Sequence, residues 1–193
     1  MIFRRQDVVW LSLILACLLP LFLYQGQAGK KAEAPPRWPG LLSPGENFTL
    51  LLFVHPGCPC TRASLRELER FTAREWEGLK TYAVFTTPAG VEPNFHKTDL
   101  WRLANRIPRV TAHLDEGGRL SQEFGCFTSG QVLLYDGEGR LRFAGGITAS
   151  RGHEGASIGL EAITMQLNGQ VGVSDVEVYG CPIFSEGEAL CHR

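Results

Sequence analysis

The residues of this chain best suited to chemistry are Cys58 and Cys60, separated by Pro59 in the stretch HPGCPCTR. Two sulfurs this close can exchange with a partner's disulfide: one thiolate attacks, and the neighbouring sulfur resolves the mixed disulfide. If Cys58 is a helix N-cap and Pro59 the first helical residue, proline's fixed φ and missing N–H suit that turn. Both sulfurs then lie at the positive helix end, where free N–H groups and the dipole lower a thiol pKa from about 8.5 towards 7 or below. A bond between residues two apart closes a small ring across a rigid proline, which makes it easier to reduce than a relaxed bridge. Two other uses compete. Each cysteine could be a structural half-cystine paired with Cys126, Cys181 or Cys191, or the pair could hold Cu(I) with His55 or His153, since thiolate and imidazole suit that ion. The redox reading needs no cofactor and no metal. His55, just before Pro56, titrates in a range suited to proton transfer beside a thiol. The pattern Ser64-x-x-Glu67 is a capping box that could start the helix later and leave the cysteines in a loop.

The elements that must position these sulfurs follow from hydrophobic patterning. Phe48 to His55 is a continuous apolar run, as expected of a strand covered on both faces. From Thr61, apolar residues at Leu65, Leu68, Phe71 and Trp76 fall near helical spacing, so Arg66, Glu67 and Arg70 are expected to face water. Leu79 to Thr86 reads as a strand and Asn94 to Arg106 as a helix that stops before Pro108. A short strand at Val110 to Leu114 precedes a brief helix around Arg119 to Phe124. The pieces GQVLLYDGEG and RLRFAGGI read as two antiparallel strands joined by a Gly137-Glu138-Gly139 turn. A closing helix is expected over His153 to Leu167. Alternating βαβ followed by ββα implies an α/β domain, a three-layer α/β/α sandwich around a mixed central sheet, with the cysteines at its first strand-to-helix junction.

Composition and the amino-terminal segment bound the setting. The 193 residues are 44% hydrophobic and 20% charged, which describes one domain with appendages. Beyond Arg4, Arg5 and Asp7 there remain 17 basic and 19 acidic residues, so no basic stripe marks a nucleic-acid partner. Val8 to Tyr24 is an uncharged run of 17 residues, the short end of what a spanning helix needs, roughly 17 to 25. Arg4 and Arg5 favour a cytoplasmic start. Residues 1–25 are thus expected to be one transmembrane anchor or, with Gly26-Gln27-Ala28 as a cleavage site, a signal segment. Either fate exports the domain, and an anchor places it at the inner (cytoplasmic) membrane, single-pass, facing the periplasm or the extracytoplasmic side. Residues 26–46, with Pro35, Pro36, Pro39 and Pro44, have linker composition. Residues 47–168 form the domain, and 169–193 an extension carrying Cys181 and Cys191. Outside the cytoplasm disulfides persist. Setting Cys17 aside leaves five cysteines, so at least one is free or pairs intermolecularly. Cys181 and Cys191 could staple the tail, Cys181 could act as a resolving thiol, and Cys126 could pair with Cys181 or stay buried as a small apolar residue.

The order of elements, with two close cysteines at the first strand-to-helix junction, resembles the thioredoxin fold over about residues 47–168. HPGCPCTRASLRELE together with TSGQVLLYDGEGRLRFAGGITASRGHEG is also similar to the RedB-type, membrane-anchored thioredoxin-like bacterial proteins. The resemblance implies a thiol-disulfide oxidoreductase acting on a thiol or disulfide protein partner. The family's redox motif is Cys-x-x-Cys, however, and here the sulfurs are one residue closer. Aligning on Phe53 puts Cys58 at the family's first cysteine and Thr61 at its second. Aligning on Leu65, Glu67 and Leu68 puts Cys58 at the second and His55 at the first. The family's proline loop corresponds to Phe127-Thr128-Ser129-Gly130, which has no proline. Thr128, Ser129 and Gly130 are therefore expected to face the sulfurs. The loop after the last strand is expected beside them, where Arg151 and His153 would favour thiolate.

Overall fold

The computed structural model describes residues 5–87, 90 and 94–184, with the side chains of 5–9, 21, 22 and 25 excepted. Its centre is β1 (Phe48–Val54), in which Leu50 to Val54 are essentially fully buried. β1 pairs in parallel with β2 (Leu79–Thr87), which pairs in parallel with β3 (Val110–Glu116). On its other side β1 pairs antiparallel with β4 (Gln131–Asp136), and β4 with β5 (Leu141–Gly146). The order β3-β2-β1-β4-β5 is the mixed sheet expected from the sequence, and it leaves β1 with a neighbour on each side. That explains its unbroken apolar run, because alternate side chains enter two different cores.

One core takes Leu50, Leu52 and Val54 with α2 (Thr61–Thr72), α3 (Asp99–Ala104) and α5 (Ile158–Leu167), through Leu65, Leu68, Leu100 and Ile163. The other takes Leu51 and Phe53 with Leu120 of α4 (Arg119–Glu123), Phe124, Ala34, Ile183 and Phe184. On that face a single five-residue helix is joined by chain from both ends of the protein. Trp38 packs on Phe124 and Tyr135 with ring centroids 5.3 and 5.2 Å away. The hydroxyls of Tyr135 and Tyr82 donate to the carbonyls of Pro35 and Ser43, each at 2.9 Å. Much of the segment with linker composition is therefore held against the domain.

Three local expectations are corrected. α3 begins at Asp99 rather than Asn94, because Thr98 is its N-cap and accepts from the Trp101 N–H. α5 begins at Ile158 rather than His153, because the Ser157 hydroxyl oxygen accepts from Leu160 N–H and the hydroxyl donates to the Ile147 carbonyl. Glu67 does not face water: it is 4% exposed, accepts from the Gly155 N–H at 2.7 Å, and pairs with Arg70. The carboxylate ties α2 to the loop after β5, which orders the long stretch that the sequence assigned to helix.

The amino-terminal helix α1 (Arg5–Gln25) contains Pro20 and leaves Trp10, Leu11, Ile14 and Leu15 exposed. Among the described residues no helix is long and apolar enough to cross a membrane. The spanning run expected over Val8 to Tyr24 falls partly on side chains outside those described.

Candidate active site

Pro59 stands between the two cysteines at the carboxyl end of β1, where the chain turns into α2. The N-cap is Cys60, with φ −65° and ψ −32°, rather than Cys58, and α2 starts at Thr61. The Ser64-x-x-Glu67 pattern lies inside α2 and caps nothing. Helical turning nevertheless begins earlier: Thr61 N–H donates to Cys58 O, Arg62 N–H to Pro59 O and Ala63 N–H to Cys60 O. Cys58 also opens with a turn, its N–H donating to the His55 carbonyl at 3.0 Å. Proline suits this position because no N–H of residue 59 is required.

Cys58 is 1% exposed, whereas Cys60 is half-buried. The sulfur atoms of Cys58, Cys60 and Cys181 all lie within 4.8 Å of one another. The Cys58 thiol is held well below the usual thiol range, chiefly by the hydrogen bond from the Cys181 thiol; burial opposes this, and the Thr61 hydroxyl and the N–H groups of Cys181 and Thr61 assist. The Cys181 N–H reaches Cys58 Sγ at 3.4 Å. The same contact pushes the Cys181 thiol up, together with its burial, because the proton stays on Cys181 when Cys58 is ionised. Cys60 is pushed up by burial and by the charge of Cys58, with Arg151 opposing. The three sulfurs thus divide into one thiolate and two protonated neighbours, titrating as a set. Donors from Cys181 and Thr61 stabilise the anion of this buried sulfur.

The loop before β4 reaches this site through Ser129. Ser129 Oγ lies 2.6 Å from Thr61 Oγ and accepts from the His55 N–H at 2.8 Å. Either hydroxyl can donate to the other, and the pair stands beside Cys58, whose thiol the Thr61 hydroxyl helps to lower. Gly130, at φ +94°, turns the chain so that its N–H bonds the Phe53 carbonyl and β4 can begin. Thr128 faces the other way: its hydroxyl donates to the Lys30 carbonyl, so it ties the amino-terminal segment to this loop. The imidazole of His55 accepts from Gly57 N–H through Nδ1 at 3.1 Å and packs edge-on against Phe95. Those contacts make it a support of the turn before Cys58.

Of the two cations expected beside the sulfurs, the structure brings one. Arg151 acts on Cys60, donates to the Gly180 carbonyl, and lies over the Tyr24 ring at 4.8 Å from its centroid. His153 is exposed in the loop after β5. Cys126 is fully buried in the second core, donates weakly to the Phe124 carbonyl at 3.6 Å, and is raised well above the ordinary thiol range by burial. It serves as a small apolar residue, one of the two alternatives open for it. Cys191 lies outside the described residues.

The main donor to Cys58 is the Cys181 thiol, which the sequence leaves open among several. Cys181 was one of several possible resolving or stapling thiols, because a tail without clear periodicity gives no register. The usable signal was the second Cys-Pro dipeptide, Cys181-Pro182, followed by the apolar pair Ile183 and Phe184 that anchors it. Tyr24 and Glu67 carried no signal of their own.

No family model matches the chain, and no curated protein matches it. Among solved structures, an uncharacterized conserved protein from Geobacillus kaustophilus is similar at 18% identity and a TM-score of 0.61, covering 84% of this chain and 94% of that one. A hypothetical protein from Sinorhizobium meliloti is similar at 19% identity and 0.61, covering 83% and 96%. A pneumococcal exposed lipoprotein thioredoxin from Streptococcus pneumoniae is similar at 17% identity and 0.47, covering 65% and 86%. The chain shares with the first two of these structures its fold, here a mixed five-stranded sheet with helices on it.

Proposed function

We propose that this protein is a membrane-tethered, extracytoplasmic thiol-disulfide oxidoreductase that uses Cys58 as nucleophile and Cys60 as the neighbouring sulfur. One observation carries the reading: a buried sulfur at the entrance of a helix collects donors from Thr61 and Cys181 and is held as thiolate. The thiolate attacks one sulfur of a partner's disulfide and the other sulfur leaves as thiolate. Cys60, once deprotonated, attacks Cys58 Sγ, releases the partner as a dithiol and leaves a Cys58-Cys60 disulfide; two electrons pass to the partner. Arg151 lowers the cost of ionising Cys60 at that step. The reverse sequence oxidises a partner dithiol. Tethering is supported by the apolar, exposed side chains of α1 and by the uncharged run from Val8 to Tyr24. The test is reduction of a disulfide reporter by the full chain. Activity should be lost in Cys58→Ser and strongly reduced in Cys60→Ser, and retention of full activity in Cys58→Ser refutes the reading.

A second reading, copper binding, is favoured by one feature: three sulfurs within 4.8 Å form a donor set that suits Cu(I). Stoichiometric Cu(I) uptake that is lost in both cysteine variants, without disulfide exchange, selects this reading over the first.

A further inference from the structure

Residues 174–184 run back across the end of the sheet as a strap. It is pinned at one end where Ala144 N–H donates to the Ser174 carbonyl, Val176 N–H to the Ala144 carbonyl and Gly146 N–H to the Glu177 carbonyl. Val178 is fully buried, and its carbonyl accepts from the Gly29 N–H at 2.7 Å. The strap then lies antiparallel on the loop before β4: Ser129 N–H donates to the Cys181 carbonyl at 2.9 Å, Ile183 N–H to the Phe127 carbonyl at 2.8 Å, and Thr128 bridges Pro182. Ile183 and Phe184 are buried beyond it, with Phe184 against the Phe127 ring.

This short ladder is the geometry by which an extended polypeptide adds to an exposed main-chain edge, with backbone hydrogen bonds for affinity and a side chain delivered to a fixed place. The side chain delivered here is Cys181, against Cys58. The backbone comes so close that a Cβ on Gly180 would sit 1.7 Å from the Ser129 carbonyl oxygen. That contact requires glycine.

Resting on the oxidoreductase reading above, we propose that residues 180–183 are a built-in stand-in for the partner polypeptide. In the absence of a partner, the strap supplies the thiol. The Cys181 thiolate attacks Cys58 Sγ of the Cys58-Cys60 bond; the Cys58-Cys181 bond forms, the Cys58-Cys60 bond breaks, and Cys60 leaves as thiolate. The proton lost by Cys181 is balanced by the one Cys60 takes up, and no electrons are gained or lost overall. The direction follows from backbone geometry. The Cys58 and Cys60 sulfurs are close, but a bond between residues two apart closes a small ring across Pro59 that departs from relaxed disulfide geometry. Cys181 approaches from a separate segment with no such restriction.

Two measurements on the full chain test this. The first oxidises the wild type and Cys181→Ser with a glutathione redox couple and maps the disulfides by peptide mass spectrometry. Wild type should contain mainly the Cys58-Cys181 link and Cys181→Ser the Cys58-Cys60 link. The second compares alkylation of Cys58 by iodoacetamide in wild type and Gly180→Val, both reduced, at about pH 9, where even a thiol of pKa about 8.5 is largely ionised. Unseating the strap should raise the rate by about two- to tenfold, the factor that one net hydrogen bond is worth. An unchanged circular dichroism spectrum shows that Gly180→Val is folded. A Cys58-Cys60 link throughout the oxidised wild type, or a folded Gly180→Val alkylated at the wild-type rate, overturns the strap proposal while leaving the oxidoreductase reading intact. The absence of any Cys58 disulfide in both proteins overturns the oxidoreductase reading itself.

Discussion

Replacing Cys181 by alanine removes the donor that contributes most to the Cys58 thiolate while leaving the Cys181 backbone N–H in place at 3.4 Å. A hydrogen bond to a charged group is worth about 1.5–3 kcal/mol. At 1.36 kcal/mol per pKa unit, losing it raises the Cys58 midpoint by about 1 to 2 units. The figure stays at that scale because Cys58 is buried and the lost donor is not replaced by bulk water at full strength. The assay is the ultraviolet absorbance of the thiolate followed against pH in the reduced protein, with Cys58→Ser as the blank. A parallel titration of Thr61→Val, which removes the hydroxyl donor, should move the midpoint in the same direction by less. A Cys181→Ala midpoint that stays at the wild-type value, or falls, refutes the assignment of Cys181 as the principal donor.

Further outcomes follow from the same contacts. The folded pKa of Cys58 is depressed, so its contribution to stability is present above the unfolded thiol pKa of about 8.5 and is lost as pH falls through the folded value. Cys60 and Cys181 are raised, so the stability they contribute is present below about 8.5 and declines above it. Urea melts of the reduced protein should therefore show the gap between wild type and Cys58→Ser widening from acid to about pH 8.5. Glu67→Gln weakens the bonds that α2 makes to Gly155 and Arg70 and should cost about 1 to 2 kcal/mol by denaturant unfolding. Trp38→Ala should cost about 2 kcal/mol, since this half-buried ring fills the second core between Phe124 and Tyr135; no change would mean that residues 26–46 are a spare tether.

The fold was legible where one segment's pattern determined its own partners. The unbroken apolar run of β1 announced a central strand, and the alternating order of strands and helices announced the mixed sheet around it. Boundaries failed where a single side chain decides them. Thr98 and Ser157 cap helices that periodicity alone extends by several residues, and Glu67 is buried on a helix whose spacing places it outside, because the loop after β5 folds over it. Of the site, the buried Cys58 stands in the stretch that the sequence singles out, and Ser129 lies in the loop that the resemblance aligned with it. The third sulfur was not readable in this way. Cys181 lies 123 residues from Cys58, on a segment positioned by main-chain bonds to Phe127, Ser129, Ala144 and Gly146 rather than by its own hydrophobic rhythm. Main-chain pairing leaves little trace in residue types, whereas Arg151 and His153 show the opposite error: two polar residues in one loop looked equivalent, and backbone direction brought only one to the sulfurs.

In the proposed oxidoreductase cycle Cys58 passes between thiolate and disulfide. The most direct test of that cycle is equilibration of the full chain across a series of glutathione redox poises, with the fraction of Cys58 in an intramolecular disulfide read by alkylation and mass spectrometry. One two-electron transition is expected, with Cys58 bonded to Cys60 or Cys181 at the oxidising end and no such transition in Cys58→Ser. A Cys58 that remains an unbonded thiol at every poise would contradict it.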